Sequence, residues 1–363
     1  MSVKKAALIE IYDSHDVNLY SQLLFLTRSG YEVTLICSER IKDQIKDYDA
    51  GQETIYVNCT TKKGLALWKE LWKIRSIILA RGIQTVIFNT AHSNPVRNFC
   101  LLPFPHYIRF YGTLHGVNKL TGSLTQKIIS RRINSYYLLS DYMMEKAKQV
   151  PHEGLRFGIF YPIFHPHFRD VQIREKPEGT VWIAIPGAVE YKRRDYLTLI
   201  EHLARLKVKP RIQFLLLGNG DHPHGNGPEV RQRVKELELE DYFLFFSGFM
   251  ENAVFHKYIK QSDAIIPLIH PINKDMEKYL ENQISGSFHL AFGYKKPLLM
   301  HEWYQRYDDF METSIFYTMD NLGQVLTDLP KLLNEPVDRF SNPKWTLEAQ
   351  TSSYLRLLEP KTI

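Results

Sequence analysis

Two stretches of the chain combine residue types that suit a bound phosphate. In the first, Glu281-Asn282-Gln283-Ile284-Ser285-Gly286-Ser287 reads as a polar loop closed by a Ser-Gly-Ser turn. A small-residue helix follows, and then a strand begun by Pro297. A helix start offers unpaired backbone N–H groups and a partial positive charge, both of which favour an anion. Ser287 is suited to cap that helix, and Gly286 lets the backbone approach a ligand closely. An ordinary strand–helix unit whose cap is a serine is the competing reading. In the second stretch, Pro186-Gly187-Ala188-Val189-Glu190-Tyr191 leads into Lys192-Arg193-Arg194-Asp195. Here a glycine turn and three consecutive cations precede a helix start, where charge and dipole would together neutralise a diphosphate. A solvated basic helix start would look the same.

Further candidates lie where strands end. Leu217-Gly218-Asn219-Gly220 closes a buried run with a glycine turn, but Pro223 spoils the dinucleotide fingerprint Gly-x-Gly-x-x-Gly. Ser247-Gly248-Phe249 places an aromatic beside a glycine, for stacking or for the core. His115 stands between Gly112 and Gly116 after the run His106–Tyr111, where a histidine can orient a ligand or stabilise developing charge. Asp13-Ser14-His15-Asp16 follows the first strand, and His15 ranks below His115. Asp47-Tyr48-Asp49 is a formal metal-holding Asp-x-Asp, but it lies in the charged run Glu39–Gly51 and reads as surface. The pairs His165/His167 and His222/His224 sit beside prolines without a third ligand in register, so zinc is not expected. No Gly-x-Ser-x-Gly motif or Walker lysine is present.

Alternating elements must hold these residues. Ala6–Ile11, Glu32–Cys37, Thr85–Asn89, His106–Tyr111 and Tyr136–Ser140 read as strands. Asn18–Ser29, Leu65–Ala80, Gly122–Ile133 and Asp141–Gln149 read as the intervening helices. Tyr161 to Gly179, rich in proline and charge without a period, reads as a linker. The alternation then restarts through strands Val181–Ile185, Ile212–Leu217, Tyr242–Ser247, Ala264–Leu268 and Leu298–His301. Helices Asp195–Leu206, Glu229–Leu239, Glu251–Lys260 and Asn321–Leu333 lie among them. Continuous apolar strands separated by helices indicate parallel sheets covered on both faces. The expectation is α/β, with two doubly wound Rossmann-like domains, 1–165 and 178–342, facing across a cleft. A closing helix within 343–363 would pack back on the first domain. Ligands of such sheets sit at the carboxyl ends of the strands.

Bulk properties narrow the class. The 363 residues suffice for two domains, and 44% hydrophobic with 24% charged residues is ordinary for a globular chain. Cys37, Cys59 and Cys100 are scattered, which argues against disulfides and zinc and fits a reducing, cytoplasmic setting. Met-Ser-Val-Lys-Lys running into Ala6–Ile11 reads as a strand and not as a signal peptide. No charge-free stretch reaches membrane-spanning length. Leu67, Leu71, Ile74 and Ile78, with Trp68 and Trp72 and flanking lysines, give residues 62–82 two readings. One is a helix packed on the sheet, and the other a peripheral contact with the inner face of an anionic membrane. Basic residues are dispersed despite a net charge of +6, so nucleic acid is not an expected partner.

Together these motifs resemble, in order, the GT-B glycosyltransferases of the retaining, nucleotide-sugar type (group 1, or family 4-like). The matching segments run from Pro186 through Gly218, Gly248 and Ser262-Asp263-Ala264-Ile265-Ile266-Pro267 to Lys296-Pro297. Leu-His115-Gly resembles the segment whose histidine faces the donor sugar. The resemblance implies a hexosyltransferase moving a sugar from a nucleotide-diphosphate donor to a glycan or lipid-linked acceptor. It also implies that no cofactor and no essential metal are needed. Donor contacts would come from Gly187, Lys192, Arg193, Gly218, Gly248, Phe249, Asn282, Ser285, Gly286 and Ser287, with His115 and Glu281 at the reacting carbon. The chain departs from the pattern: Ala188 replaces an arginine, Arg193 a glycine, and Asn282 and Leu290 the two glutamates. Leu290 removes the expected ribose contact, because a leucine accepts no hydrogen bond. A degenerate sugar-nucleotide-binding protein and a sugar-nucleotide epimerase are the alternatives.

Overall fold

The computed structural model describes residues 3–121, 123–151, 154–271 and 276–359. Gly122, residues 272–275 of the Leu268–Ser287 segment, and residues 360–363 of the closing stretch lie outside the described residues.

The first part of the chain runs β1 (Lys4–Glu10), α1 (Leu19–Arg28), β2 (Tyr31–Ser38), β3 (Glu53–Val57), α2 (Gly64–Ala80) and β4 (Thr85–Phe88). It continues α3 (Asn94–Cys100), β5 (Arg109–Thr113), α4 (Leu124–Arg132), β6 (Ser135–Leu138), α5 (Asp141–Lys148) and β7 (Arg156–Ile159). The second part begins β8 (Val181–Pro186), α6 (Tyr196–Arg205), β9 (Ile212–Asn219), α7 (Gly227–Glu236), β10 (Phe243–Phe246) and α8 (Asn252–Gln261). It ends β11 (Ala264–Ile265), α9 (Glu277–Glu281), α10 (Gly286–Tyr294), β12 (Leu298–His301), α11 (Asp308–Met311), β13 (Ser314–Tyr317), α12 (Leu322–Leu333) and α13 (Leu347–Leu358).

These elements form two compact units. Unit 1 takes Met1–His167, Asn282–Ile284 and Pro343–Ile363, and unit 2 takes Phe168–Glu281 and Ser285–Asn342. Unit 1 holds a parallel seven-stranded sheet ordered β3-β2-β1-β4-β5-β6-β7. Unit 2 holds a parallel six-stranded sheet ordered β10-β9-β8-β11-β12-β13. In each sheet the winding reverses beside its first strand, between β1 and β4 and between β8 and β11, and a crevice opens at such a point. Both sheets are doubly wound, as the alternation of elements predicts.

Local sequence explains the positions. Leu67, Leu71, Ile74 and Ile78 are the buried stripe of α2, spaced one turn apart. Lys62 and Lys73 turn to Glu70, at 2.7 and 3.8 Å, while Trp72 is 43% exposed under the Arg75 guanidinium. On α13, Tyr354 stacks on Tyr137 of β6 with ring centres 4.3 Å apart, and accepts that tyrosine's hydroxyl at its carbonyl. The strand expected over Ala264–Leu268 is cut to two residues, because Pro267 lacks an N–H and Leu268 turns left-handed at φ 54°. Among the described residues, no helix is long and apolar enough to cross a membrane.

Candidate functional site

In unit 2 the carboxyl ends of β8 and β9 carry the glycine turns. Gly187 adopts φ 97°, a conformation that favours glycine, and donates its N–H to Leu217 O at 2.9 Å. A side chain at Gly218 would run into the Gly187 carbonyl, so these two turns must both stay bare. Asn219 Oδ1 accepts the Gly248 N–H at 3.0 Å, tying the β9 loop to the β10 loop. Phe249, next to Gly248, is 80% exposed and belongs to no core.

The Ser-Gly-Ser turn does begin a helix, with a different cap from the expected one. Ser285 is the N-cap of α10, its hydroxyl accepting the Ser287 N–H at 3.3 Å, while Ser287 lies inside the first turn and is buried. The cation that reaches this turn is Arg194, whose Nη2 lies 3.5 Å from Ser287 Oγ. Arg194 is only 8% exposed. Its guanidinium is wrapped by the β8–α6 turn, donating to the carbonyls of Pro186 and Ala188. Its Nε is buried without a partner among the described residues. A fixed guanidinium beside a capped helix start is suited to hold a phosphate by charge-assisted hydrogen bonds.

Lys192 and Arg193 point elsewhere. Both face Glu190 Oε2, at 3.3 and 3.0 Å, and both side chains are well exposed. Glu281 closes α9 and is half-buried. Asn282 belongs to unit 1, where its carbonyl accepts the Val117 N–H at 2.9 Å. The structure therefore brings together Gly187, Gly218, Gly248, Ser285, Gly286 and Ser287 on unit 2, and of the three consecutive cations Arg194 is the one against the Ser285–Ser287 turn.

Behind Arg194 lies a buried polar chain that the sequence did not flag. Asp195 caps α6, accepting the Thr198 N–H at 3.1 Å and its hydroxyl at 2.8 Å. Its Oδ2 also lies 2.8 Å from Nδ1 of His270, which is fully buried. The other ring nitrogen of His270 is 2.8 Å from the Tyr317 hydroxyl. Burial raises the Asp195 pKa, but bonds from His270 and Thr198 outweigh it and the net direction is down.

Unit 1 carries its own polar cluster, at the ends of β1, β4 and β5. Glu10 is fully buried and accepts Thr90 Oγ1 at 2.5 Å, Asn89 Nδ2 at 2.7 Å and the Tyr12 N–H at 2.9 Å. Burial still pushes its carboxyl up to about 7. Asn89 accepts Gln22 Nε2 at 2.7 Å, and Gln22 accepts the Tyr354 hydroxyl at 3.0 Å, which carries the network to α13. His115 is 9% exposed. Its Nε2 donates to the Asn89 carbonyl at 2.7 Å, leaving Nδ1 to accept from Asn18 Nδ2 at 3.4 Å. Both ring nitrogens are thus engaged inside the protein. The His15 ring lies flat on His115, with centres 3.7 Å apart and 16° between planes. Among the described residues, no three histidine, cysteine, aspartate or glutamate side chains are grouped to hold a metal.

No family model matches the chain, and no curated protein matches it in sequence. Solved structures do match in fold. A glycosyltransferase from Rickettsia africae is 15% identical, with 99% of this chain and 100% of that chain covered and a TM-score of 0.67. HepE of Anabaena in complex with UDP and glucose is 13% identical, covering 97% and 94%, at a TM-score of 0.61. A UDP-N-acetylglucosamine 2-epimerase assignment from Listeria monocytogenes is 11% identical, covering 98% and 96%, at 0.61. The chain therefore has the two-domain α/β GT-B fold of these proteins, and the resemblance read from its motifs holds at the level of fold.

Proposed function

We propose that this chain is a glycosyltransferase that takes a sugar from a nucleoside-diphosphate donor. One observation carries the reading: Arg194 and the Ser285-capped start of α10 meet at Ser287 on unit 2. A diphosphate there gains a buried guanidinium, helix N–H groups and the bare turns at Gly187 and Gly218. Gly248 and Phe249 supply a nucleobase platform, and Glu281 is the carboxylate nearest in sequence to the phosphate turn. Lys192 and Arg193 serve as outer charges that attract the donor. The acceptor is a glycan or lipid-linked sugar, and α2 supplies any contact with an anionic membrane. No metal is required, because the protein's own cations neutralise the leaving diphosphate.

HepE is described with UDP and glucose, so UDP-sugars are the first donors to test. Release of UDP from a panel of UDP-hexoses, with and without glycan acceptors, would support transfer. Binding without release would reduce the chain to a sugar-nucleotide-binding protein. The fold likeness to the Listeria epimerase motivates one control, in which UDP-N-acetylglucosamine is incubated alone and inspected for its C2 epimer. Epimer formation would replace the transferase reading.

A further inference from the structure

Unit 2 has a second cleft, at the end of its sheet remote from the phosphate turn. Its walls are the segment before β8, Asp263 before β11, the Lys295-Lys296-Pro297 link between α10 and β12, and the end of α12. β8, β11 and β12 are neighbours in the sheet, so their amino ends lie side by side. The six residues of β8 put about 20 Å between this cleft and the Gly187 turn. Ligands of doubly wound sheets sit at the carboxyl ends, so the cleft is separate from the proposed donor site. Its volume of 630 Å³ is that of a small-molecule site.

The charges on this cleft are unevenly matched. Asp263 is already committed, its Oδ2 accepting Lys176 Nζ at 2.5 Å and the Trp182 N–H at 2.7 Å. Glu178, the other carboxylate lining the cleft, is exposed. Lys296 is half-buried, and among the described residues its ammonium has no hydrogen bond and no ion pair. The Lys295 ammonium is likewise unpaired among them. Lys295 also holds φ 51° and ψ 46°, the left-handed position after a helix where glycine is usual. Neither ammonium bonds a carbonyl at the end of α10, so closing that helix does not account for the pair. Burial lowers the Lys296 pKa, and the fields of Lys176 and Lys260 push the same way against Asp263. Cations thus crowd this cleft without an anion among them to match.

We propose that this cleft binds a small, soluble phosphate monoester, with Lys295 and Lys296 on the phosphate and Lys176 at its edge. Pro297, Pro330 and Leu333 line the same cleft and offer apolar surface to the organic part. A phosphate monoester carries about −1.5 to −2 charges at neutral pH, which matches two unpaired ammoniums, whereas a carboxylate would match one. Lysine binds phosphate as a point charge, and needs no fixed fork to do so. The site stands on unit 2 alone and does not depend on the transfer reading.

The test uses the full chain and pyridoxal phosphate, a phosphate monoester whose aldehyde marks a nearby amine. The lysine nitrogen attacks the aldehyde carbon, the oxygen leaves as water, and borohydride delivers hydride to the imine carbon. Peptide mass spectrometry then reads the position of the mark. Pyridoxal phosphate should mark Lys296 about tenfold more than pyridoxal does, and phenyl phosphate should protect it. Lys295→Gly suits the left-handed turn, so it should fold and yet lower the mark at Lys296 several-fold. UDP-glucose, which has no terminal phosphate, should leave the Lys296 mark unchanged. Equal marking by pyridoxal, protection by phosphatidate vesicles but not by phenyl phosphate, or an unchanged mark in Lys295→Gly would overturn the proposal. Protection of Lys296 by UDP-glucose as strong as that by phenyl phosphate would also overturn it, by assigning the mark to the donor site. Failure of UDP-glucose to bind anywhere, with the Lys296 mark intact, would remove the transfer reading and leave this site standing.

Discussion

Asp195 Oδ2 lies 2.8 Å from His270 Nδ1, and this pair fixes the turn from which Arg194 projects. Asp195 also donates its backbone N–H to Leu268 O at 2.9 Å, so the start of α6 and the turn that follows β11 are held as one piece. The relationship makes the guanidinium's position a property of a buried network and not of a surface loop. Losing either end of the histidine should therefore be felt at the phosphate turn.

Tyr317→Phe leaves a buried His270 nitrogen unpaired and should destabilise the protein by about 1–3 kcal/mol. His270→Asn should cost at least as much, and should also weaken nucleoside-diphosphate binding by loosening Arg194. Denaturant unfolding and calorimetry on the same variants separate the two effects. Full nucleotide affinity in a folded His270→Asn protein would confine the network to a structural role.

Glu10 gives a pH signature. Its pKa rises from 4.5 to about 7 on folding, through burial that hydrogen bonds only partly offset. The folded state thus binds this proton more tightly, and the contribution is full below pH 4.5 and lost as pH rises through about 7. The shift corresponds to about 3 kcal/mol across that window. Glu10→Gln should flatten the slope of stability against pH, whatever its absolute stability. Equal slopes in the two proteins would show that Glu10 is already ionised in the fold.

Leu290, half-buried on α10, offers no acceptor to a ribose hydroxyl. Replacing a ribose by a 2′-deoxyribose diphosphate should then cost less than about 1 kcal/mol of affinity. A loss of about 1–3 kcal/mol would reveal a ribose contact elsewhere on the chain.

The α2 surface separates two roles by sedimentation with vesicles. Lys62 and Lys73 are held to Glu70, and Arg75 covers Trp72, which leaves less free charge than the sequence suggests. If α2 docks on anionic lipid, Trp72→Ala should reduce co-sedimentation at low salt several-fold. No co-sedimentation of the wild type would leave α2 as a sheet-packing helix only.

Much of this architecture is legible one residue at a time, because central strands of parallel sheets are continuous apolar runs. The strands that escape the sequence are β3, β7 and β13, all at sheet edges. Glu53-Thr-Ile-Tyr-Val57 and Arg156-Phe-Gly-Ile159 are mostly half-exposed, so neither shows a buried run. Among three consecutive cations, nothing in one dimension says that Arg194 folds inward. The usable signal was Asp195, a capping residue that marks the start of α6 immediately after Arg194. Glu10, a carboxylate at the end of an otherwise apolar strand, was a similar signal, since buried charge demands partners. The stacking of His15 on His115 joins loops a hundred residues apart in the chain, and only the fold reveals it.

Calorimetry of a nucleoside diphosphate against the wild type, Arg194→Met and Lys192→Ala tests the central claim most directly. Arg194→Met keeps the buried stem and removes the guanidinium, and should cost about 1.5–3 kcal/mol of affinity if a charge-assisted contact is lost. Lys192→Ala should cost less than about 1 kcal/mol, because that exposed ammonium is already shared with Glu190. Undiminished affinity in a folded Arg194→Met protein, or no binding of any nucleoside diphosphate by the wild type, would contradict the account.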